Sequence, residues 1–439
     1  MVADSSPLTF GQMSTLRHLQ KWPRERWPEG NLIHEHVITP GVTVGDVTSA
    51  LDTLVRHHVA LRTTFDLGDP RSPVQILHDN GSPDTLVVAG GGDASTIEAQ
   101  IPSTNFTYDT DRGWRVFLLL GSSGEPAKLV LCLSHLLFDG WSARHLDLAL
   151  APLRGDEHFD WEHPVTSFLR TTDLCRLQRG EQWRDRRLQA EGYWRSLFVQ
   201  TPARLLSSVG VGAAAEAVVH GRLKLQSRQD AISAIGRAAR AFPAGILLAF
   251  LALAMLENSP DEEFLMFALM SANRNLHPWR DLVTTMNQQI PVLLGRPGTG
   301  TVLDYVADVQ RAALRAYRNG CYDVDMADRV ATDILSYIPQ SFGPLVNFTA
   351  HGHPGARTGG PAESGPDVVV QDAEAGIPTD LFIQISNANG LTLDLSAVRG
   401  LMADAAVRGI LTWISRALSL TAADPSLRVS DLPKLEIAP

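Results

Sequence analysis

Twelve consecutive residues, Ala244–Met255 (AGILLAFLALAM), carry no polar side chain. A helix crossing a bilayer needs about 20 such residues. The run is too short for that and reads as a helix apolar on every side, which other elements must enclose. The chain can supply that enclosure: 439 residues, 44% hydrophobic and 20% charged, correspond to two or three globular units at roughly 100–200 residues each. The composition excludes collagen, disorder and coiled coil as overall descriptions.

Charge and cysteine narrow the function. Thirty-eight basic against 48 acidic residues leave a formal charge of −10, which opposes a surface built to neutralise nucleic-acid phosphates. Three cysteines, Cys132, Cys175 and Cys321, form no CxxC pair, so a reducing compartment and no disulfide framework are expected. The opening MVADSSPLTFGQM has no basic stretch followed by an apolar run. No signal peptide is read there, and a cytoplasmic protein without a membrane role is expected.

Along the chain, helical and strand patterns alternate, which indicates an α/β or α+β class. Thr43–His58 opens on a Thr cap and spaces Val47, Leu51, Leu54 and Val55 helically. LRTTFDLG and PVQILHD read as short strands, and Arg115–Leu120 with Leu129–Leu133 as a hairpin of buried strands. A helix is expected from Ser142. Apolar periodicity weakens between Leu150 and Gly180, which places a boundary between units 1–175 and 176–439. The second half predicts strands at FLMFALM and QIPVLL, a helix over Val302–Tyr317, a hairpin around Asn389-Gly390 and a closing helix over Met402–Leu418. Gly352–Pro366, rich in Gly and Pro, reads as a mobile loop.

The strongest chemical signal is Leu131–Ser142, LCLSHLLFDGWS. A buried strand ends near His135, and Asp139-Gly140 turns the chain before a helix with Ser142 as its cap. A neutral imidazole held at a strand end is able to accept a proton near neutral pH. Asp139 in a tight loop is suited to pairing with an arginine, and Gly140 allows close approach of backbone or substrate. Taken alone, a His-x3-Asp spacing is more often a structural pair than a catalytic one.

The wider pattern changes that balance. His135-Leu-Leu-Phe-Asp139-Gly140 resembles the HHxxxDG signature of the condensation domains of nonribosomal peptide synthetases, within the superfamily of chloramphenicol acetyltransferase. Pro7–Gln12, Leu54–Phe65, Tyr193-Trp194-Arg195, Ser271–Arg274 with Met286–Gln288, and Pro344–Phe348 resemble further motifs of that family, in family order. The resemblance runs from about residue 7 to 434. It implies two acetyltransferase-like lobes in a V-shaped pseudo-dimer around a central tunnel. It also implies transfer of an acyl or aminoacyl group from a carrier-protein phosphopantetheine thioester to an amine or hydroxyl acceptor, giving an amide or ester.

On that resemblance His135 is the catalytic residue. Asp139 holds its loop through Arg274 or Arg62, with its carboxylate turned from His135, and Gly140 leaves room for the pantetheine arm. Ser134, where the family keeps its first histidine, is structural; Trp141, Asn287 and Asn347 are expected along the tunnel. No intrinsic cofactor is expected, since the phosphopantetheine arrives on carrier proteins, and a monomer is expected. Arg184, Arg186 and Arg187 are expected to form the face that meets acidic carriers. Ser134, the Met286-Asn287-Gln288 element and Gly320–Met326 depart from the family pattern, which indicates a specialised enzyme; Met1 and the absence of carrier and adenylation motifs favour a stand-alone one. The competing readings are a non-catalytic domain that recruits a tailoring enzyme and a coenzyme A-dependent acyltransferase. His57-His58 lie far in sequence from His351 and His353, so no metal site is read. Cys132 reads as a small core residue.

Overall fold

The computed structural model describes residues 4–79, 86–90, 94–155, 169–206, 217–275, 278–349, 367–373, 379–387 and 390–436. His351, His353, the Gly352–Pro366 loop and Asn389 lie outside them. The chain forms two compact units. One comprises Met1–Leu188 with Ala272–Gln288; the other comprises Gln189–Ser271, Gln289–Gly352 and Arg357–Pro439.

The first unit runs β1 (Asp4–Pro7), α1 (Phe10–Leu19), β2 (Leu32–Val37), α2 (Val44–His57), β3 (Thr63–Asp66), β4 (Val74–Leu77), β5 (Leu86–Ala89), α3 (Ala94–Gln100), β6 (Trp114–Leu120), β7 (Pro126–Leu133), α4 (Gly140–Ala149) and α5 (Thr171–Arg179). α6 (Arg184–Gln200) leads into the second unit. Two sheets result, of order β1-β4-β3 and β2-β7-β6-β5. The β6–β7 hairpin is the strand pair expected from its two apolar runs, antiparallel with Trp114 opposite Leu133. Leu129, Leu131, Cys132 and Leu133 are wholly or almost wholly buried, so β7 is anchored up to the residue before Ser134. Helix starts follow the sequence: Thr9 with Gln12 and Thr43 with Asp46 close reciprocal capping boxes, each satisfying two orphan backbone donors.

One start differs. α4 begins at Gly140, not at Ser142, and the cap is Asp139, whose Oδ1 accepts from the Ser142 amide at 2.8 Å. A carboxylate three residues before that amide caps a helix better than a serine inside the first turn.

The second unit runs β8 (Val218–Lys224), α7 (Gln229–Ala239), α8 (Pro243–Asn258), β9 (Phe264–Ser271), β10 (Gln288–Gly295), α9 (Val302–Arg318), α10 (Val324–Leu335), β11 (Leu345–Thr349), β12 (Val368–Ala373), β13 (Leu381–Ser386), β14 (Thr392–Val398) and α11 (Asp404–Ala423). Its single sheet has the order β10-β9-β11-β13-β14-β8-β12. α8, which contains the twelve-residue apolar run, packs against α7, α9 and α11, with Gly245–Ala254 buried throughout. α11 crosses β8, where Gly221 leaves the space that Val407 and Leu411 fill. No single helix among the described residues is long and apolar enough to cross a membrane.

Candidate active site

The motif Ser134–Ser142 is a rigid turn that presents one side chain. Leu136, Leu137 and Phe138 are wholly buried, whereas His135 just before them is only partly buried. The turn closes on Ser134, whose carbonyl accepts from the Leu137 and Phe138 amides at 3.0 and 3.1 Å. His135 Nδ1 lies 2.8 Å from the Phe138 carbonyl oxygen. A carbonyl only accepts, so Nδ1 carries a proton, and in the neutral ring the lone pair is then on Nε2, the tautomer a general base requires.

Ser134 holds the turn from beneath. Its amide donates to Gly113 O at 2.7 Å, its Oγ is 2.7 Å from the Tyr108 hydroxyl, and its Oγ also accepts from the Leu136 amide. Gly113, at φ +66°, faces Leu137 Cδ1 so closely that a Cβ there would sit 2.5 Å from it. Tyr108 is buried, and burial raises its pKa against the opposing Ser134 bond. Ser134→Ala and Tyr108→Phe each leave a buried hydroxyl short of its partner. Each is expected to lower stability by about 1–2 kcal/mol, and the double variant by less than the sum, read from urea midpoints.

Asp139 is the node of the site. It accepts from Arg274 Nη2 at 2.8 and 2.7 Å, from the Met286 amide at 2.9 Å, and from the Ser142 amide and hydroxyl at 2.8 and 2.9 Å. None of these partners is His135. Burial pushes the Asp139 pKa up, but the Arg274 charge and the hydrogen bonds outweigh it and hold the carboxyl below its ordinary value. Arg274 and Asp139 side chains are 3% and 4% exposed, so the pair is a buried ion pair within the first unit. Arg274 also donates to Leu282 O at 2.5 Å and Thr284 O at 2.6 Å. It thereby ties the segment 272–288 to α4. Ser142 Oγ adds a further link, 2.7 Å from Thr284 O. α1 packs on the same segment, and a Cβ on Gly11 would lie 2.6 Å from Met286 Cα.

Of the two arginines expected near Asp139, Arg274 reaches it. Arg62 instead donates to His78 O and Asp79 O at 3.1 and 2.9 Å, securing the end of β4. Asn287 accepts from Thr285 Oγ1 at 2.7 Å, and the Arg280 guanidinium sits 5.4 Å from the Trp141 ring centre, so both belong to the 272–288 neighbourhood. Asn347 lies in the second unit, donating to Gln384 Oε1 at 3.1 Å. Of the basic trio on α6, Arg187 turns inward and donates to Gln178 O and Gly180 O, satisfying carbonyls at the end of α5. Arg184 pairs with Glu181 at 3.6 Å and Arg186 stacks on Trp183. Tyr108, Ser142 and Thr284 were not singled out as site partners from the sequence. Only the Ser and Thr types carried any signal, and that signal did not name their partners.

Two histidines in this unit stay neutral. Burial chiefly, with Lys21 and His135 adding, lowers His18 to about 4; burial, with His145 and His57, lowers His58 to about 3. The unfolded chain binds these protons more readily, so stability is expected to fall as pH drops from about 6.5 toward 4. Urea midpoints across that range check this, and His58→Gln is expected to flatten the slope.

Comparison with known proteins shows the family and the fold. A model of the family described as Condensation domain matches residues 31–436. Over 176 residues the chain is 30% identical to cyclosporin synthetase simA of Tolypocladium inflatum, spanning 38% of this chain and 1% of that protein. It is also 30% identical over 177 residues to enniatin synthase of Fusarium equiseti, spanning 37% of this chain and 5% of that one. The chain thus spans a small fraction of the curated relatives it matches. Among solved structures, the condensation domain of Monacolin K polyketide synthase MokA matches with a TM-score of 0.73 at 15% identity, covering 98% of this chain and all of that one. The X-domain bound to OxyB from teicoplanin biosynthesis matches at 0.71 and 20% identity, covering 98% and 96%. The first condensation domain of the calcium-dependent antibiotic synthetase matches at 0.69 and 18%, covering 99% and 100%. At these identities the structural likeness speaks for the fold.

Proposed function

Because this chain belongs to the condensation-domain family of nonribosomal peptide synthesis, we propose that it transfers an acyl group from a carrier-bound phosphopantetheine thioester to an amine or hydroxyl acceptor. The single observation that carries this reading is the bond from His135 Nδ1 to the Phe138 carbonyl. It fixes the ring so that the neutral imidazole, partly buried beside a buried turn, carries its lone pair on Nε2. In the proposed step the acceptor nitrogen or oxygen attacks the thioester carbonyl carbon and its proton passes to His135 Nε2. The tetrahedral intermediate then collapses, the C–S bond breaks, and the departing thiolate takes that proton. General-base action of this kind contributes about 10²–10⁴-fold, and alignment of the two reactants contributes further. Gly140, exposed at the first position of α4, supports the reading because it puts no side chain where the pantetheine arm would pass. Asp139 and Arg274 act as positioning residues, fixing the loop that carries His135.

Carrier dependence is tested by offering the same acyl group on a carrier protein and on coenzyme A. The reading expects faster turnover from the carrier. Equal rates would favour a coenzyme A-dependent enzyme instead. The specific observation favouring a recruitment role is Ser134 in the first position of the motif. Against it, the Tyr108–Ser134 bond closes the turn, and Asp139 and Gly140 are retained.

A further inference from the structure

The seven-stranded sheet of the second unit has two unlike faces. One carries Leu223, Leu393, Leu395, Ile383 and Ile385 into the core with α11 packed over β8 and β12. Strand alternation puts His220, Arg222 and Lys224 of β8, and Thr392, Asp394 and Ser396 of β14, on the opposite face. Register aligns them as cross-strand pairs: Lys224 with Thr392, Arg222 with Asp394 and His220 with Ser396. The row continues through Gln384 opposite Asp394 and Asn347 opposite Gln384.

Asp394, His220 and Ser396 stand in the order of a nucleophilic relay. His220 Nε2 is 3.3 Å from Asp394 Oδ1, and Nδ1 is 2.9 Å from Ser396 Oγ. However, Ser396 is mid-strand, flanked by His220 on one side and Phe382 on the other. The ladder claims the local backbone amides that an oxyanion hole would need. The cluster does not suit covalent chemistry; it suits holding Arg222.

Asp394 accepts from Arg222 Nε at 2.5 Å and from Thr392 Oγ1 at 3.2 Å. Burial raises its pKa, but His220 and Arg222 outweigh that, so it remains an anion. Arg222 is thus fixed through Nε, while its terminal amino groups meet no acceptor among the described residues and its side chain is 51% exposed. A guanidinium clamped at Nε presents a planar fork already oriented for two parallel bonds. Lys224 lies on the same face two residues along β8.

We propose that Arg222, held by Asp394 with His220 behind that carboxylate, is the centre of a subsite for a substrate carboxylate. The acyl-transfer reading enters only in deciding which substrate bears that carboxylate; the binding itself is independent of it. The test uses the full chain labelled with 15N-arginine, the Arg222 Nε resonance being assigned by its loss in R222Q. Sodium acetate and glycine, at ionic strength held constant with chloride, are expected to shift that resonance saturably, whereas acetamide and glycinamide leave it in place. No saturable shift with either carboxylate, or an equal shift with inorganic phosphate or with chloride alone, would overturn the proposal. Arg222→Lys, which keeps the charge and loses the fork, is expected to retain the fold and bind acetate more weakly. Acetate binding as tight as in the parent, by titration calorimetry, would also overturn it. In the transfer assay, R222Q is expected to raise KM about tenfold, with kcat kept, for whichever substrate carries a free carboxylate. A KM effect on the acceptor assigns the carboxylate to the acceptor, and one on the donor assigns it to the acyl group. Loss of transfer in His135→Ala with acetate binding intact would separate the two readings.

Discussion

Asp139→Ala is expected to cost about 3–5 kcal/mol of folding stability, a large share of the roughly 5–15 kcal/mol that holds a domain together. The reason is what remains behind. Arg274 would keep a full charge at 3% exposure, with only backbone carbonyls and the Ser142 hydroxyl to meet it. The Met286 amide and the first turn of α4 would lose their acceptor as well. Arg274→Ala is expected to be comparably severe, because it strands a buried carboxylate. Asp139→Leu combined with Arg274→Met removes both charges and is expected to be milder than either single change. Because the folded-state pKa of Asp139 lies below its ordinary value, the stability contributed by the pair is complete above the ordinary carboxylate range. It is lost as pH falls through the lowered value. Urea denaturation of the single and double variants checks the prediction, and a loss under about 1 kcal/mol for Asp139→Ala would contradict the buried-pair account.

His135→Ala carries the second large effect, and on a different quantity. The side chain is only partly buried, and its Nδ1 bond to Phe138 is a local contact worth about 1 kcal/mol. Stability should therefore change little, while acyl transfer should fall by about 10²–10⁴-fold if Nε2 takes the acceptor proton. The split between activity and stability separates this residue from Asp139, where both should fall together.

How much of this was legible in the sequence depended on whether the signal was local. The α8 core helix followed from twelve apolar residues in a row, the β6–β7 hairpin from two compact apolar runs, and the α2 start from a Thr43 cap ahead of Val47, Leu51, Leu54 and Val55 at helical spacing. Each is decided within a few residues. Asp139 was recognisable as a loop anchor, yet its partner Arg274 stands 135 residues away. Motif order narrowed the choice to Arg274 or Arg62, and only packing separated them. The cap on α4 was misplaced because Asp139 and Ser142 both suit the role, and the turn from Ser134 to Phe138 decides in favour of Asp139. Arg187 illustrates the same limit: sequence shows a basic trio on α6, while the tertiary fold spends one member on the carbonyls closing α5. The Ser134–Tyr108 bond spans 26 residues between a loop and a strand end, and nothing in either local pattern names the other.

The measurement that bears most directly on the central claim is single-turnover acyl transfer from a loaded carrier protein, comparing the parent chain with His135→Ala at matched folding stability. The account predicts a fall of about 10²–10⁴-fold in the transfer rate with the urea midpoint nearly unchanged. An unchanged rate at an unchanged midpoint would contradict it and remove the catalytic role of His135.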